Sequence, residues 1–433
     1  MPNRSLSEWL ADIEARHPVE IELGLERVST VWKRLKGDAE QTSIKTPKTI
    51  VVAGTNGKGS CVAVVQSVLV AHGYSVGAFT SPHFLRYNER ICIDGVQVSD
   101  QDIVNAFEKI EMARDEIRLT YFEFNTLAAL VIFMGKPLDI IVLEVGLGGR
   151  LDAVNIIDAD VSVVTSVDID HQDWLGDTRE KIAREKLGIA RSNVPLLVGE
   201  QNLPVGFTDR VNQSGARPIY YGTDFYSQTD ADGETFSAIL TTHQGTQKIA
   251  GLSLKSLLPV NVSLGLQALC NLNIELLEQH CHAALECLDL NGRRQLVRFK
   301  GVNVVLDVAH NPAAAAMLAS FVPPCSGKTI AVAAVLNDKD WAGIVKEMMP
   351  VIDVWSIGEI TDNQRAMDTR SLFDIVYNAG LEGESYSSIQ AAFREAVEKC
   401  SIHDQLVVFG SSSYSECFSA TAFATEMASI KAI

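Results

Sequence analysis

A run of ten residues, Val51-Val-Ala-Gly-Thr-Asn-Gly-Lys-Gly-Ser60, constrains the fold of this chain more than any other stretch. The β-prone Thr49-Ile50 precedes it and the apolar Cys61-Val-Ala-Val-Val-Gln-Ser-Val-Leu-Val70 follows it, so the segment reads as buried strand, glycine-rich turn and helix. A helix start of this kind can hold phosphate, because its first-turn N–H groups lack intrahelical acceptors and point at the anion. Gly54, Gly57 and Gly59 let the backbone close around phosphates across Thr55 and Asn56. Lys58 supplies a point charge, and the hydroxyl of Thr55 or Ser60 can reach Mg2+. The spacing departs from the usual G-x-x-x-x-G-K-[ST] pattern: two residues separate Gly54 from Gly57, and Gly59 stands between lysine and serine. A plain glycine turn before an ordinary helix is the alternative, disfavoured by the strand ahead of the turn and the lysine within it.

At 433 residues the chain exceeds one comfortable hydrophobic core, so two domains are expected. The formal net charge of −17 argues against a general nucleic-acid backbone binder, which needs a large positive footprint. It leaves room for small anionic substrates at a local cluster around Lys58. Eight cysteines include no C-x-x-C pair, and His280-Cys-His282 with Cys287 is the one crowded patch. Adjacent residues on a helical turn point in different directions, so no zinc site is expected there. The cysteines read as small hydrophobes in a reducing compartment. The polar, then acidic, N-terminus does not read as a signal peptide, and no apolar window is long enough to span a membrane. A cytoplasmic protein is expected.

The first 36 residues read as two short helices, the first capped by Ser7 and carrying Trp9, Leu10 and Ile13. The second places Leu25, Val28, Val31, Trp32 and Leu35 on one packing face. Residues 37–48 read as a polar connection. A strand at 74–79 leads into Thr80-Ser-Pro-His-Phe-Leu-Arg-Tyr-Asn-Glu-Arg90, whose mix of aromatic, basic and polar residues favours a binding loop over a plain surface loop. Residues 91–98 form a hairpin about Asp94-Gly95, and Ser99 caps a helix running to about Met112. A buried helix at 127–134 precedes a buried strand at 138–143, which ends at Glu144 and the turn Val145-Gly-Leu-Gly-Gly-Arg150. The strand at 160–165 delivers Asp168, Asp170, His171 and Asp173 beyond its end. Open α/β sheets place ligands at such carboxyl ends.

Residues 178–190 read as a helix, 194–198 as a strand, 212–252 as small antiparallel strands at the edge of the first domain, and 261–289 as helical. The polar step Asp289-Leu-Asn-Gly-Arg-Arg294 marks a boundary, giving domains 1–290 and 291–433. In the second, strands at 302–306, 329–335, 351–355 and 405–409 alternate with helical segments; the first two end in Asp307-Val-Ala-His-Asn-Pro312 and Leu336-Asn-Asp-Lys-Asp340. The expected fold is therefore α/β in two domains. The N-terminal one is P-loop NTPase-like, with a mostly parallel sheet and a small antiparallel edge, and the C-terminal one is smaller and Rossmann-like.

Phosphate chemistry needs a divalent cation held by a few hard ligands. Ser60, Glu144 and His171 form such a set, suited to Mg2+ or, through the imidazole, Mn2+. Two readings stay open for each: Glu144 as ligand or as cap of the following turn, His171 as ligand or as hydrogen-bonded surface histidine. Asp307 and His310 are either ligand-facing groups at a strand end or a helix cap and a surface residue. Lys186, by composition, is a solvated helix face. Taken alone, these residues define an ATP-handling two-domain enzyme.

The chain also resembles the folylpolyglutamate synthase and dihydrofolate synthase family, within the Mur-type ATP-dependent amide ligases. The resemblance runs through Glu20-Ile-Glu-Leu-Gly-Leu-Glu-Arg-Val28, Gly54-Thr-Asn-Gly-Lys-Gly-Ser60, Thr80-Ser-Pro-His83 with Arg86 and Glu89-Arg90, and Tyr121-Phe-Glu-Phe124. It continues through Glu144-Val-Gly-Leu-Gly-Gly-Arg-Leu-Asp152, Asp170-His171, Arg184-Glu-Lys186, Asp307-Val-Ala-His-Asn-Pro312 and Asp338-Lys-Asp340. It implies an enzyme in which a pteroate or folyl-glutamate carboxylate attacks the ATP γ-phosphate, and the amino group of L-glutamate then displaces phosphate from the acyl phosphate. By position, Lys58 would stabilise the transferring group, and Ser60, Glu144, His171 and Lys186 would hold one or two ions. Lys186 matches a lysine that relatives carbamylate, turning a cation into a carboxylate-like ligand. Asn261, Arg293, Asp307 and His310 match nucleotide-contacting positions; without the resemblance, Asn261 reads as a helix cap and Arg293 as a solvated linker residue.

Thr80, Ser81, Pro82, Arg86, Phe122, Phe124, Asp152 and Asn155 match the loop and pocket that clamp the pterin. The implied partners are 7,8-dihydropteroate, reduced folates and L-glutamate, with no nucleic acid or membrane and a monomeric state. Three departures stand out: Leu187 before Gly188, Asn337 after Leu336, and Ser411-Ser-Ser-Tyr414 in place of a histidine-containing run. Alternatives are a monofunctional member, a Mur-type cell-wall ligase and a catalytically dead relative. The cell-wall reading is opposed by a phosphate loop that begins only about fifty residues in.

Overall fold

The computed structural model describes residues 4–16, 22–37, 46–254, 257–288, 290–361, 363 and 365–411. The chain forms two compact units: Met1–Val167 with Asp177–Leu288, and Asp168–Gly176 with Asp289–Ile433. The short piece Asp168–Gly176 thus groups with the second unit, which a linear division of the sequence does not anticipate.

The first unit is built on an eight-stranded sheet. In chain order its strands are β1 (Lys48–Ala53), β2 (Val76–Phe79), β3 (Ile91–Ile93), β4 (Val96–Gln97), β5 (Ile140–Glu144), β6 (Val161–Val164), β7 (Pro195–Val198) and β8 (Arg217–Tyr220). They lie in the order β4-β3-β2-β5-β1-β6-β7-β8, parallel from β2 to β8, with the β3–β4 hairpin as an antiparallel edge. The hairpin turns at Asp94 (φ 52°) and Gly95 (φ 79°), the left-handed pair that matches the twist of its strands. β1, β2, β5, β6 and β7 are apolar runs rather than alternations because helices cover both faces of a parallel sheet. Helix Lys58–Ala71 is apolar all round for the same reason. It packs on β1, β2 and β5 and against helix Pro259–Asn271, where a Cβ on Gly265 would lie 2.6 Å from Val64.

Residues 212–252, expected as small antiparallel strands at the edge of the first domain, hold three such strands in the first unit, while β8 joins the parallel sheet instead. β9 (Tyr226–Thr229), β10 (Thr235–Thr242) and β11 (Gly245–Ser253) pair only with each other, and β10 packs on helix Pro259–Asn271. Ser5, rather than Ser7, caps the first helix, Leu6–Arg16: its hydroxyl accepts from the Glu8 N–H while Glu8 accepts from the Ser5 N–H. The helix after Thr178 ends at Lys186 and tightens into a 3-10 turn, Leu187–Ile189.

The second unit holds a six-stranded sheet of β12 (Gln295–Phe299), β13 (Val302–Leu306), β14 (Thr329–Ala334), β15 (Val354–Gly358), β16 (Gly383–Tyr386) and β17 (Gln405–Gly410). The order is β12-β13-β17-β14-β15-β16, with β12 alone antiparallel. Trp341, Trp355 and Phe409 stack edge to face in its core, with centroids 5.8 and 6.1 Å apart. The strand expected at 351–355 starts three residues later, because the Val351 N–H is tied back to Met348 and pairing with β14 begins at Val354. β12 and β16 have no counterpart in the sequence reading. β12 buries only Val297 and Phe299, and the polar β16 is a strand because β15 pairs with it. Residues 412–414 of the Ser411–Tyr414 departure, and part of the lead segment at 20–21, lie outside the described residues. Among the described residues no helix is long and apolar enough to cross a membrane.

Candidate active site

In the first unit the parallel register brings three strand ends to one edge. Val52 of β1 pairs with Glu144 of β5, and Ala53 pairs with Val164 of β6, so the glycine loop, Glu144 and Thr165-Ser166 emerge side by side. Thr165 and Ser166 buttress the loop: the Thr55 N–H donates to the Ser166 carbonyl at 2.9 Å, the Asn56 N–H to Ser166 Oγ at 2.9 Å, and Thr165 Oγ1 to the Asn56 carbonyl at 2.6 Å. Gly54 has no room for a side chain, since a Cβ would lie 1.8 Å from Thr165 Oγ1. Gly57 is left-handed (φ +85°), and its Cβ would meet Asn261 Oδ1 at 2.5 Å. Asn261 is thus brought against the loop from helix Pro259–Asn271, and is not its cap, which falls at Leu258. Lys58 opens helix Lys58–Ala71 and folds its Nζ back on the Gly54 and Thr55 carbonyls at 3.1 and 3.3 Å. Ser60 is buried in the first turn beyond it.

Glu144 is buried at the end of β5, and its Oε2 accepts the Ser81 N–H at 3.0 Å. It stands close to the helix start, for a Cβ on Gly59 would come within 3.6 Å of Oε2. The loop 80–90 is therefore anchored at the carboxylate. Ser81-Pro82 is a cis peptide, and Thr80 pairs through its backbone with Arg90. Glu89 gathers the N–H groups of Phe84, Leu85 and Arg86 at 2.6–2.8 Å.

Of the two arginines in this loop, Arg86 is exposed beside Asp100, whereas Arg90 is turned inward. The Arg90 guanidinium lies over the rings of Tyr87 and Tyr121, and its Nε donates to His83 Nδ1 at 2.8 Å. Burial and the Arg90 charge lower His83 to about 4. The sequence reading sets both arginines in the binding loop but takes only Arg86 to the site, and it leaves out Thr165 and Ser166. The aromatic spacing Tyr87-x-x-Arg90 was the available signal for Arg90; for Thr165 and Ser166 there was none beyond their place at a strand end.

Phe122 lies against the turn after Glu144, where a Cβ on Gly146 would strike its ring at 2.5 Å. Phe124, two residues on, faces the other way and is core, 5.3 Å from the ring of Phe107. Asp152 is buried beneath the same turn and accepts N–H groups of Leu147 and Val154 at 2.8 and 3.0 Å. Burial nevertheless raises its carboxyl to about 7. The Asn155 amide is committed internally, to the carbonyls of Arg150 and Gly188, and accepts from Arg191. Lys186 is buried at the end of helix Arg179–Lys186, whose final carbonyls pack on Gly149.

The second unit carries its own polar centre. Lys339 is buried, and its Nζ donates to Asp170 Oδ1 at 2.6 Å. His310 Nε2 lies 3.3 Å and Asn311 Nδ2 3.4 Å from Asp170 Oδ2. Burial alone would raise Asp170, but the hydrogen bond and charge of His310 together with the Lys339 ammonium hold it well below the usual carboxylate range. His171 follows in a left-handed conformation (φ 51°), and burial lowers it to about 4 against the pull of Asp170. Asp307, at the end of β13, accepts N–H groups from Arg294 and Ala309 at 2.8 Å each, and burial raises it against the opposing charge of Arg293. Asn311 caps helix Pro312–Phe321.

The donor types fit a hard cation. Ser60 and Glu144 pair a hydroxyl with a buried carboxylate beside the glycine loop of the first unit, and in the second unit burial lowers the imidazole of His171, which favours its neutral, ligating form. A buried Lys186 fits only if its charge is matched or lost.

Comparison with known proteins follows the same lines. Residues 292–412 match the Mur ligase, glutamate ligase domain family. Fold and site together define a Mur-type, ATP-dependent ligase. A dihydrofolate synthase/folylpolyglutamate synthase of Escherichia coli is 39% identical over 409 residues, 94% of this chain and 93% of that protein. Among solved structures, E. coli FolC in complex with DHPP and ADP superposes with a TM-score of 0.89 at 36% identity, covering 98% of this chain and 99% of that one. The bifunctional enzyme of Yersinia pestis complexed with AMPPNP and Mn ion gives 0.86 at 35% identity, over 96% and 98%. This chain belongs to the dihydrofolate synthase/folylpolyglutamate synthase family.

Proposed function

We propose that the chain joins L-glutamate to 7,8-dihydropteroate and to reduced folates such as tetrahydrofolate, using ATP. The observation that carries this reading is the closed phosphate loop with buried Glu144 beside its helix, in a chain whose relatives bear both activities in their names. A carboxylate oxygen of the acceptor attacks the γ-phosphorus and ADP leaves, giving an acyl phosphate. The glutamate amino nitrogen then attacks the acyl carbon, phosphate leaves, and the nitrogen sheds a proton as the amide forms. The N–H groups of residues 54–60 and the Lys58 ammonium oppose charge on the transferring phosphoryl group. One or two divalent ions, Mg2+ or Mn2+, would neutralise phosphate charge when bound, and we assign Ser60, Glu144, His171 and Lys186 to hold them.

We further assign Lys186 as a carbamate. Its burial supports this, because adding CO2 replaces an ammonium that would repel the ions with an anion that binds them. Asn261, Arg293, Asp307 and His310 are assigned to the nucleotide. Thr80, Ser81, Pro82, Phe122 and Asp152 are assigned to the pterin, with Arg86 at the rim and Phe124 and Asn155 supporting the wall. Residues 1–290 would form the ATP- and pterin-binding domain and 291–433 the glutamate-ligase domain of a monomeric, cytoplasmic enzyme.

The test is glutamate-dependent phosphate release by the purified protein, with 7,8-dihydropteroate and tetrahydrofolate compared in parallel. Release with both is expected. Release with one alone would assign the chain to that half of the chemistry, and silence with both would overturn the reading. A carbonyl resonance after incubation with 13C-bicarbonate, lost in Lys186→Ala, is expected for the carbamate.

A further inference from the structure

The Asp338-Lys-Asp340 motif has no role in the chemistry above, yet two of its side chains are buried against His171. Asp338 Oδ1 accepts from Arg365 Nη2 at 2.9 Å. Its other oxygen, Oδ2, is buried and makes no hydrogen bond, and it lies 3.6 Å from His171 Nδ1, itself buried and without a hydrogen-bond partner. Apart from the Lys339 ammonium 3.5 Å from Oδ2, neither atom has a hydrogen-bond partner, and two such atoms facing each other are costly unless a proton lies between them, which a carboxylate oxygen can only accept. The opposite ring nitrogen, Nε2, has the Lys339 ammonium at 3.4 Å and Asp170 Oδ2 farther off at 3.8 Å, so its nearest charge is a cation, one that keeps its own short contact at Asp170. An ammonium favours a lone pair at that position over an N–H. The carboxylate beside Nδ1 and the nearer charge beside Nε2 therefore call for the same tautomer.

We propose that Asp338 is the positioning residue of His171. Its Oδ2 accepts from the Nδ1–H of the imidazole, which fixes the ring and would leave the Nε2 lone pair for a divalent ion. This rests on the reading of His171 as an ion ligand given above. Histidines that bind metals commonly donate their second nitrogen to a carboxylate, which orients the ring and raises the basicity of the ligating atom. Arg365 and Lys339 hold the Asp338 carboxylate in turn, at 2.9 and 3.5 Å. The loop after β14 would thereby set the geometry of a ligand that lies more than 160 residues earlier in the chain.

The test reads the tautomer directly, by the 15N shifts of His171 in the full-length, ion-free protein, together with Mn2+ binding followed by titration. Wild type is expected to show the Nδ1–H form. Asp338→Asn is expected to shift the ring toward Nε2–H and to weaken Mn2+ about 10- to 100-fold, and Asp338→Glu to restore part of both. An Nε2–H tautomer in wild type would overturn the proposal without any variant, whatever the folding of Asp338→Asn. An Nδ1–H ring unchanged in a folded Asp338→Asn would overturn it as well. Undiminished Mn2+ binding in His171→Ala would instead overturn the ion-ligand reading, a failure that the tautomer measurement keeps separate.

Discussion

In the first unit the glycine loop is held by its own main-chain groups, tied to neutral hydroxyls and a carbonyl at a strand end, whereas in the second the cluster around Asp170 is held by mostly charged side chains drawn from four separate stretches. The loop spans residues 54–60 and its supports reach it from neighbouring strands. The cluster gathers Asp170 and His171, His310 and Asn311, and Asp338, Lys339 and Arg365. A main-chain cage is rigid and can meet an anion without reorganising. A buried charge network depends on every member, because removing one leaves the others desolvated and unpaired. The loop should therefore tolerate loss of its lysine in stability but not in chemistry, and the cluster should show the reverse sensitivity first.

The largest effect is expected at Lys58. Lys58→Ala should lower phosphate release by about 1,000-fold or more, with an unaltered circular dichroism spectrum; turnover near the wild-type rate would remove the loop from the chemistry. Next comes Lys339→Met, which strands the Asp170 carboxylate and should destabilise the second unit by about 3–5 kcal/mol in denaturant unfolding. Coupling it with Asp170→Asn should recover much of that loss, and a purely additive double variant would mean that the two do not form a unit.

Gly57→Ala should cost about 1–3 kcal/mol, because the left-handed backbone and the contact with Asn261 both reject a Cβ. Pairing it with Asn261→Gly should relieve the steric part and leave the conformational part. The smallest effect is a pH dependence. The Asp152 carboxyl is raised to about 7 from 3.8, so its contribution is fully present below pH 3.8 and is lost as pH rises through 7. Unfolding free energy should fall over that window by at most about 1.4 kcal/mol per pH unit, and the melting temperature with it. Asp152→Asn should melt lower but without that component of the slope.

The strand–loop–helix at 48–71, the Asp94-Gly95 hairpin and the Ser99 cap were legible in the sequence. Each is decided by residues within a few positions of one another: a left-handed pair in a tight turn, a hydroxyl three residues from its N–H, an apolar run ending in glycine. Glu144 was legible for a related reason, since a carboxylate at the end of an apolar strand has a defined place at the sheet edge. Phe122 and Phe124 show where that reasoning stops. Both are aromatic and stand two residues apart in the same motif, yet the helix turns one toward Gly146 and the other into the core beside Phe107. Arg86 and Arg90 divide in the same way, one exposed and one stacked on two tyrosines.

What the sequence by itself determined is the set of local backbone geometries and the residues at strand ends, because dihedral preference, capping and hydrophobic period act over one or two turns of chain. What only the tertiary structure decided is which of those residues meet. β16 is a strand because β15 pairs with it, Thr165 and Ser166 support a loop more than a hundred residues earlier, and Asp168–Gly176 joins the second unit because Lys339, His310 and Asn311 neutralise and solvate Asp170 there. Strand pairing and the burial of charge are settled by partners far away in sequence, and no short window of residues contains them.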